Sequence, residues 1–182
     1  MASILSHAIA ALALGSAVRP DPTPARYWTA GAVLAALPDA DVLAFAFRVP
    51  PDSMLAHRGI THSLVFAAVA AAIATWTAFP QVTTAVRRRV WAFLFVATAS
   101  HGVLDAMTDG GHGIAFFAPF SRVRYFLPWR PILVSPIGLR PFFSRWGAAV
   151  LANELRWIWV PAALVAATAL VARVRRARAD RN

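Results

Sequence analysis

The sequence predicts an all-α protein, a polytopic helical membrane bundle of about five helices with a long interfacial loop. Hydrophobic residues make up 59% of the 182 residues and only 14% are charged, which is more apolar than is usual for a soluble domain. Several apolar stretches approach the roughly 20 residues that cross a bilayer. There is no cysteine, so disulfides and thiolate metal sites are excluded. We expect a single membrane-embedded domain over residues 1–182.

Apolar stretches separated by charged or proline-containing connections define the five helices. The last three approach the roughly 20 residues that a span requires, whereas the first two are shorter and suit a half-buried position or a thin bilayer. The first segment lacks a positively charged start, so we expect a retained helix rather than a cleaved signal peptide. We place the helices at residues 3–18, 26–37, 61–79, 88–107 and 153–174.

Residues 108–152 form the long loop, which contains the stretches FFAPFS, RYFLPWRPI and SPIGLRPFF. Aromatic and Arg side chains suit the layer between membrane and water. Loops of this length are usually functional. We therefore expect a lid or substrate platform on the bilayer surface, with a simple cap on the bundle as the alternative.

The 18 basic residues are all Arg, and they are distributed unevenly. Ten of them lie in residues 19–26, 80–89 and 173–182, which an up-and-down bundle places on one side. Short Arg-rich connections are typically cytoplasmic, so we expect the basic tail 173–182 in the cytoplasm of a bacterium, with the bundle in its inner membrane. Arg residues beside apolar segments favour the lipid bilayer as partner rather than nucleic acid. The oligomeric state is left open.

The chain has only five His and eight acidic residues, and the same tracing puts most of them at the end of the bundle opposite the basic tail. Charged groups beside apolar segments are costly unless they are paired or functional. We interpret this convergence as one site facing away from the cytoplasm. Its candidate residues are His7, Asp39, Asp41, His57, His62, His101, Asp105, Asp109, His112 and Glu154.

Two motifs carry the firmest metal-ligand chemistry. In His101-Gly-Val-Leu-Asp105 the imidazole and the carboxylate share one helical face; a His–Asp hydrogen bond inside the bundle is the alternative. In HRGITHS, His57 and His62 are candidate ligands, Thr61 or Ser63 could cap the next helix, and Arg58 could hold an anionic group. The alternative there is a charged interfacial turn with surface His residues.

The remaining candidates have weaker support. In LPDAD we favour Asp39 as a ligand and Asp41 as the residue that orients it, against plain helix termination at the Pro. Asp41 or Asp109 could also act as general base. Three further residues are candidate ligands, and each has an open alternative. His7 could instead be a hydrogen-bonded His of the core, His112 an ordinary loop residue, and Glu154 a carboxylate that stabilises a helix start.

The motifs SHAIAAL, LPDAD, HRGITHSL and SHGVLDAMTDGG, running on to FFAPFS, resemble the YdjM-type family of membrane-bound metal-dependent hydrolases. The resemblance is clearest over residues 6–137. It implies a helical membrane protein with metal-dependent hydrolase chemistry, and it does not supply the substrate.

A more distant similarity is to the zinc-dependent phospholipases C and the fungal zinc nucleases, which order their ligands along the chain in a comparable way. Those enzymes end on a pair in which a His precedes the last carboxylate by four residues. Here Val150 stands four residues before Glu154, so the similarity implies a site with one or two metals rather than three.

Together these observations predict a membrane-bound hydrolase in which metal-activated water attacks an ester, most readily a phosphodiester or a lipid-linked substrate. Zinc is preferred for mixed His and carboxylate ligands, with manganese as the alternative. Arg58 would neutralise the anionic or lipid-like substrate. The rival function is a non-catalytic metal-binding membrane protein or a metal-ion transporter. A transporter would hold its ligands near the bilayer midplane, whereas these lie at helix ends.

Overall fold

The structure, a computed structural model, describes residues 1–181. The predicted all-α class is confirmed, because no β-strand forms in this range and only two isolated bridges occur, both within the long loop. The connections between most helices are short. The helices are α1 (Ile4–Val18), α2 (Tyr27–Ala46), α3 (Leu64–Ala78), α4 (Thr84–Ala106), the short α5 (Leu139–Phe142) and α6 (Arg145–Ala179).

Hydroxyl side chains fix the starts of four helices. Ser3 caps α1, and Ser63 caps α3 by accepting a hydrogen bond from the Phe66 amide. Thr83 caps α4 and Ser144 caps α6 in the same way. Such caps satisfy backbone N–H groups that have no partner within the helix. The Thr83 cap starts α4 four residues before the predicted boundary, so the three consecutive Arg residues at 87–89 lie inside the helix.

The last helix is longer than the sequence predicts. It runs for 35 residues, from Arg145 to Ala179, because Ser144 accepts a hydrogen bond from the Gly147 amide and starts the helix eight residues early. Residues 145–152 of the predicted loop are therefore helical, and the connection covers residues 107–144, which are irregular apart from the short α5. Helix also continues through most of the predicted tail 173–182, whose residue 182 lies outside the described range.

Helix α2 changes its winding where the acidic motif lies. It is α-helical over Tyr27–Ala36, tightens to a 3₁₀ helix over Leu37–Val42 and is α-helical again to Ala46. Pro38 has no backbone N–H to donate to the helix. The tightened stretch carries Asp39 and Asp41, both buried, towards the interior at the end of the bundle.

Helices α1 and α4 occupy the centre of the bundle. Helix α1 packs against α2, α4 and α6, and α4 packs against α2 and α3. In the apolar core the Phe93 ring stacks on Tyr27 with 4.2 Å between ring centroids. A Cβ at Gly31 would lie 2.2 Å from the Phe93 ring, so the missing side chain lets α2 approach α4 closely.

Within residues 1–181, two helices are long and apolar enough to cross a membrane, α2 and α6, and the shorter α1 and α3 are also apolar. The last predicted segment therefore meets this length, whereas α3 has only 15 residues. Helix α2, predicted to be short, reaches 20 residues because it continues past Pro38. Only 11% of the most apolar window of α6 is buried inside the protein. Large side chains on that helix, such as Leu164 and Leu170, face outwards. An outward apolar surface of this kind suits a lipid environment.

Candidate metal centre

Five acidic and His side chains from four chain segments meet at one end of the bundle. His7 lies in the first turn of α1 and Asp39 in the 3₁₀ part of α2. His62 precedes α3, and His101 and Asp105 lie in the last turns of α4. Each of the five residues is at most 4% exposed. The up-and-down chain path therefore brings these polar groups together from distant parts of the sequence.

Four of these residues are close enough to share one ion. One ligand atom from each of Asp39, His62, His101 and Asp105 can be chosen so that all lie within 4.8 Å of one another. The Nε2 atoms of His62 and His101 are 3.1 Å apart. Oδ1 of Asp39 is 3.3 Å from Nε2 of His101, and Oδ2 of Asp105 is 3.7 Å from Nε2 of His62.

The hydrogen bonds of the two His rings indicate what lies between them. His101 donates through Nδ1 to the Ala35 carbonyl at 2.7 Å. The Nδ1 of His62 is 3.2 Å from Asp41 Oδ2 and 3.0 Å from the Thr61 hydroxyl, which itself donates to Asp41. Both Nδ1 atoms thus carry a ring proton, so in neutral rings both Nε2 atoms would present lone pairs. At 3.1 Å those lone pairs need a cation between them. That cation is a proton on His101, whose pKa is raised, despite its burial, by the Asp39 carboxylate, or a metal ion that displaces the proton.

The spacing suits a metal ion. Two imidazole nitrogens bound to zinc at about 2.0–2.1 Å in tetrahedral geometry are roughly 3.3 Å apart. Burial lowers the pKa of His62 to about 4, so this ring is neutral at neutral pH, which is the form that binds metal.

Several buried polar atoms of the cluster lack a hydrogen bond to any described residue. They are both carboxylate oxygens of Asp39, Oδ2 of Asp105 and both ring nitrogens of His7. A buried polar atom without a partner costs free energy. Two carboxylates, together with two imidazoles that bind metal in their neutral form, provide the charge and the donor atoms that a divalent ion takes. The donor set therefore fits such an ion.

His7 lies beside this four-residue cluster. Its ring stacks on that of His101 with 3.6 Å between centroids, and its Nε2 is 3.4 Å from Asp105 Oδ1. The ring therefore contacts two members of the cluster and can support their orientation or complete their coordination.

Asp41 connects the cluster to the HRGITHS segment. Its carboxylate accepts hydrogen bonds from Nδ1 of His57 at 2.6 Å, from the Thr61 hydroxyl at 2.6 Å and from the Arg58 amide at 3.1 Å. It also lies against Nδ1 of His62. Asp41, His57 and His62 form a second group that could hold an ion, but here the carboxylate is already satisfied. Its geometry is that of a carboxylate that orients a metal-binding His.

Arg58 was expected to neutralise an anionic substrate, but the structure surrounds it with protein groups. It is 1% exposed, and its guanidinium donates to the carbonyls of Gly110 and His112 and to the Thr108 hydroxyl. Its Nε lies 3.4 Å from Asp105 Oδ2. The side chain thus holds the turn after α4 against the cluster and is not open to a substrate.

Three other candidates lie apart from the cluster. The side chain of His112 is exposed, and Asp109 is exposed with Oδ1 accepting a hydrogen bond from the Val134 amide. Glu154 is fully buried, but its carboxylate accepts hydrogen bonds from the Ser3 amide and hydroxyl and from the Ser6 hydroxyl. Glu154 therefore contacts the N-terminus of α1, although it lies within α6 rather than at its start.

Sequence reasoning did not identify Ser3, Ser6 or Thr108 as supports of this region. Ser3 precedes an apolar helix, and that position is a recognisable N-cap signal. The partnership of Ser6 with Glu154 and of Thr108 with Arg58 depends on segments far apart in the sequence, which no local pattern records.

Comparison with known proteins places the chain among inner membrane proteins. Residues 1–179 match the family model described as YdjM inner membrane protein. The chain is 38% identical over 165 residues to Inner membrane protein YbcI of Escherichia coli (strain K12), an alignment that covers 91% of this chain and 95% of that protein. No solved structure matches. On the family match and this relative, the chain belongs to the YdjM inner membrane protein family.

Proposed function

We propose that this protein is a membrane-bound metal-dependent hydrolase. The observation that carries the proposal is the pair of Nε2 atoms of His62 and His101, 3.1 Å apart with both Nδ1 atoms engaged. The carboxylates of Asp39 and Asp105 flank this pair. A preorganised, buried set of donors of this kind suits metal-assisted hydrolysis.

The residues divide into those that hold the ion and those that support them. His62, His101, Asp39 and Asp105 hold a divalent ion, for which we favour zinc, with manganese as the alternative. Asp41 keeps the His62 ring in the tautomer that presents Nε2. When bound, the ion supplies Lewis-acid chemistry, lowering the pKa of a water molecule and stabilising negative charge on an ester oxygen.

A general base is also needed, and Asp39 is the best placed carboxylate. The oxygens of Asp41 are occupied by His57, Thr61 and the Arg58 amide, and Asp109 lies outside the cluster. Neither oxygen of Asp39 has a hydrogen bond to another described group. An oxygen of Asp39 that does not hold the ion can therefore take a proton from water.

The substrate class we propose is an ester, most readily a phosphodiester or a lipid-linked ester. The site lies at the end of the bundle away from the Arg-rich connections, and we place that end outside the cytoplasm. The deep burial of the ligands would also suit a non-catalytic metal-binding protein or a transporter. The wall that includes Asp39, however, borders an open cavity, and a cavity next to the cluster favours catalysis.

Hydrolysis by the purified protein tests the proposal. Protein in detergent, freed of metal and then reloaded with zinc or manganese, is assayed with bis(p-nitrophenyl) phosphate and p-nitrophenyl esters. We expect turnover only after reloading and none in Asp105→Asn. The matched control is Asp52→Asn, since Asp52 is an exposed carboxylate in a loop. Bound metal without turnover on any of these esters would overturn the hydrolase and favour the non-catalytic function.

A further inference from the structure

A cavity of about 280 Å³ opens beside the metal cluster. It lies between the start of α1, the 3₁₀ part of α2 and the loop segment around α5. Its larger side chains are apolar, and the cluster carboxylate Asp39 lies in its wall. Those apolar side chains include Met1, Ile4, Val42, Ile137, Leu139 and Phe142.

The lining favours an occupant with a hydrocarbon body. Asp39 is 4% exposed and both of its oxygens are buried, so its carboxylate faces the metal cluster and the apolar side chains form most of the lining. Water in the cavity would wet those walls, at a cost of roughly 25 cal/mol per Å² of apolar surface. A hydrocarbon chain covers the walls, and a polar group attached to it would lie next to the cluster.

The size and the mouth of the cavity limit which molecules can occupy it. Its volume is near the lower end of the roughly 300–1,000 Å³ of small-molecule sites, which suits one hydrocarbon chain rather than two. The mouth is apolar, since Ile4 is 55%, Ile137 46% and Leu139 80% exposed. An apolar mouth at the end of a membrane bundle admits a molecule from the lipid layer more readily than one from water.

We infer that this cavity binds one hydrocarbon chain of an amphiphilic lipid and so places the lipid's polar group beside Asp39. This inference deepens the proposed function. The reaction of the lipid rests on the hydrolase proposal, whereas the binding of its chain does not. The substrate class is then an ester or phosphoester of a chain-bearing lipid, with the bond to be broken close to the metal cluster.

Photolabelling in a bilayer tests the binding step without requiring turnover. The probe is palmitic acid carrying a diazirine in mid-chain, added to the full protein in phosphatidylcholine nanodiscs and mapped by mass spectrometry. We expect saturable labelling of residues 135–143 that excess palmitate suppresses. On the outer face of α3, where Ile73 is 60% exposed, labelling should rise in proportion to the probe concentration and should not saturate.

Variants that fill the cavity identify the site. Ile137→Trp and Leu139→Trp should each lower the saturable labelling about tenfold, because a larger side chain occupies the space of the chain. Leu139 is mostly exposed, so this substitution leaves the packing of the bundle intact. The matched control is Ile73→Trp on α3, which should label like the unaltered protein.

The possible results separate binding from reaction. Labelling of residues 135–143 that does not saturate, or that both cavity variants leave unchanged, would overturn the inference. Saturable labelling of a protein that hydrolyses no ester would support the chain-binding cavity while the hydrolase proposal fails. Hydrolysis without saturable labelling would overturn the cavity alone.

Discussion

At the scale of single residues, Asp41 is the support on which the orientation of His62 depends. Replacing it by Asn keeps the size but removes the charge that holds Nδ1–H of His62 and the ring of His57. Loss of a residue that orients a metal ligand typically lowers metal affinity 10–100-fold. We therefore expect Asp41→Asn to weaken zinc binding by roughly 10–100-fold, measured by competition with a chelating dye.

The control for this prediction is Asp52→Asn, the same chemical change at an exposed loop position, which should leave zinc affinity unaltered. Equal affinity of Asp41→Asn and the unaltered protein would contradict the role given to Asp41. A complete loss of binding would instead indicate that Asp41 is itself a ligand.

Arg58 gives a second prediction at this scale. Its guanidinium is buried, bonded to the turn after α4 and close to Asp105. Arg58→Met keeps much of the apolar stem but leaves the turn and one side of Asp105 without their cation. Breaking a buried charge pair typically costs about 3–5 kcal/mol, so thermal unfolding in detergent should show a clear fall in the midpoint.

The comparison variant for Arg58 is Arg122→Met, which changes an exposed Arg of the long connection after α4 and should leave the midpoint unchanged. A normal midpoint for Arg58→Met, together with a raised KM for an anionic ester, would show that Arg58 binds substrate instead.

At the scale of elements, the contact between α6 and the start of α1 depends on Glu154. Its carboxylate accepts hydrogen bonds from Ser3 and Ser6, and Trp159 donates to Ser6 from the next turn of α6 at 2.7 Å. A carboxylate at a helix N-terminus is also favoured by the helix dipole. Glu154 therefore positions α1, which carries His7.

Glu154→Gln separates this role from that of a metal ligand. Hydrogen bonds to a charged group contribute about 1.5–3 kcal/mol, so we expect the free energy of unfolding to fall by that order while the metal content stays the same. Unfolding in detergent and metal analysis of the same preparation measure both. If Glu154→Gln kept the unfolding midpoint of the unaltered protein but lost its metal, Glu154 would be a metal ligand rather than a structural contact.

The elements themselves were largely predictable from apolar runs and their interruptions. Helix α1 agrees with its predicted range to within one residue, and Ser63 caps α3 as the HRGITHS motif suggested. Helix α2 continues past its predicted end at residue 37 to Ala46, through the 3₁₀ segment that begins before Pro38. Two other boundaries that differ depend on single caps. Thr83 and Ser144 each start a helix early, at places where Arg or Pro residues nearby had indicated a loop.

At the scale of the whole molecule, the meeting of His7, Asp39, His62, His101 and Asp105 could be anticipated because an up-and-down bundle alternates its helix ends. The surroundings of Arg58, His112 and Glu154 could not. Their side chains depend on the path of residues 107–144 and on which helix packs against α1. Sequence spacing along one helix contains no record of such long-range contacts.

Sidedness is a prediction about the whole bundle. The Arg-rich connections and the basic end of α6 lie opposite the metal cluster, and short Arg-rich segments are typically retained in the cytoplasm. Fusions of alkaline phosphatase and of a fluorescent protein after residue 181 should therefore give fluorescence and no phosphatase activity. Active phosphatase would place the cluster on the cytoplasmic side.

Metal analysis of the purified protein tests the central claim most directly, namely that Asp39, His62, His101 and Asp105 hold one divalent ion. After equilibration with zinc and removal of the excess, elemental analysis should find about one ion per chain in the unaltered protein, as for a single four-donor site. His101→Ala should contain almost none, and Asp52→Asn should match the unaltered protein. Absence of bound metal in the unaltered protein, or equal metal in His101→Ala, would contradict the account.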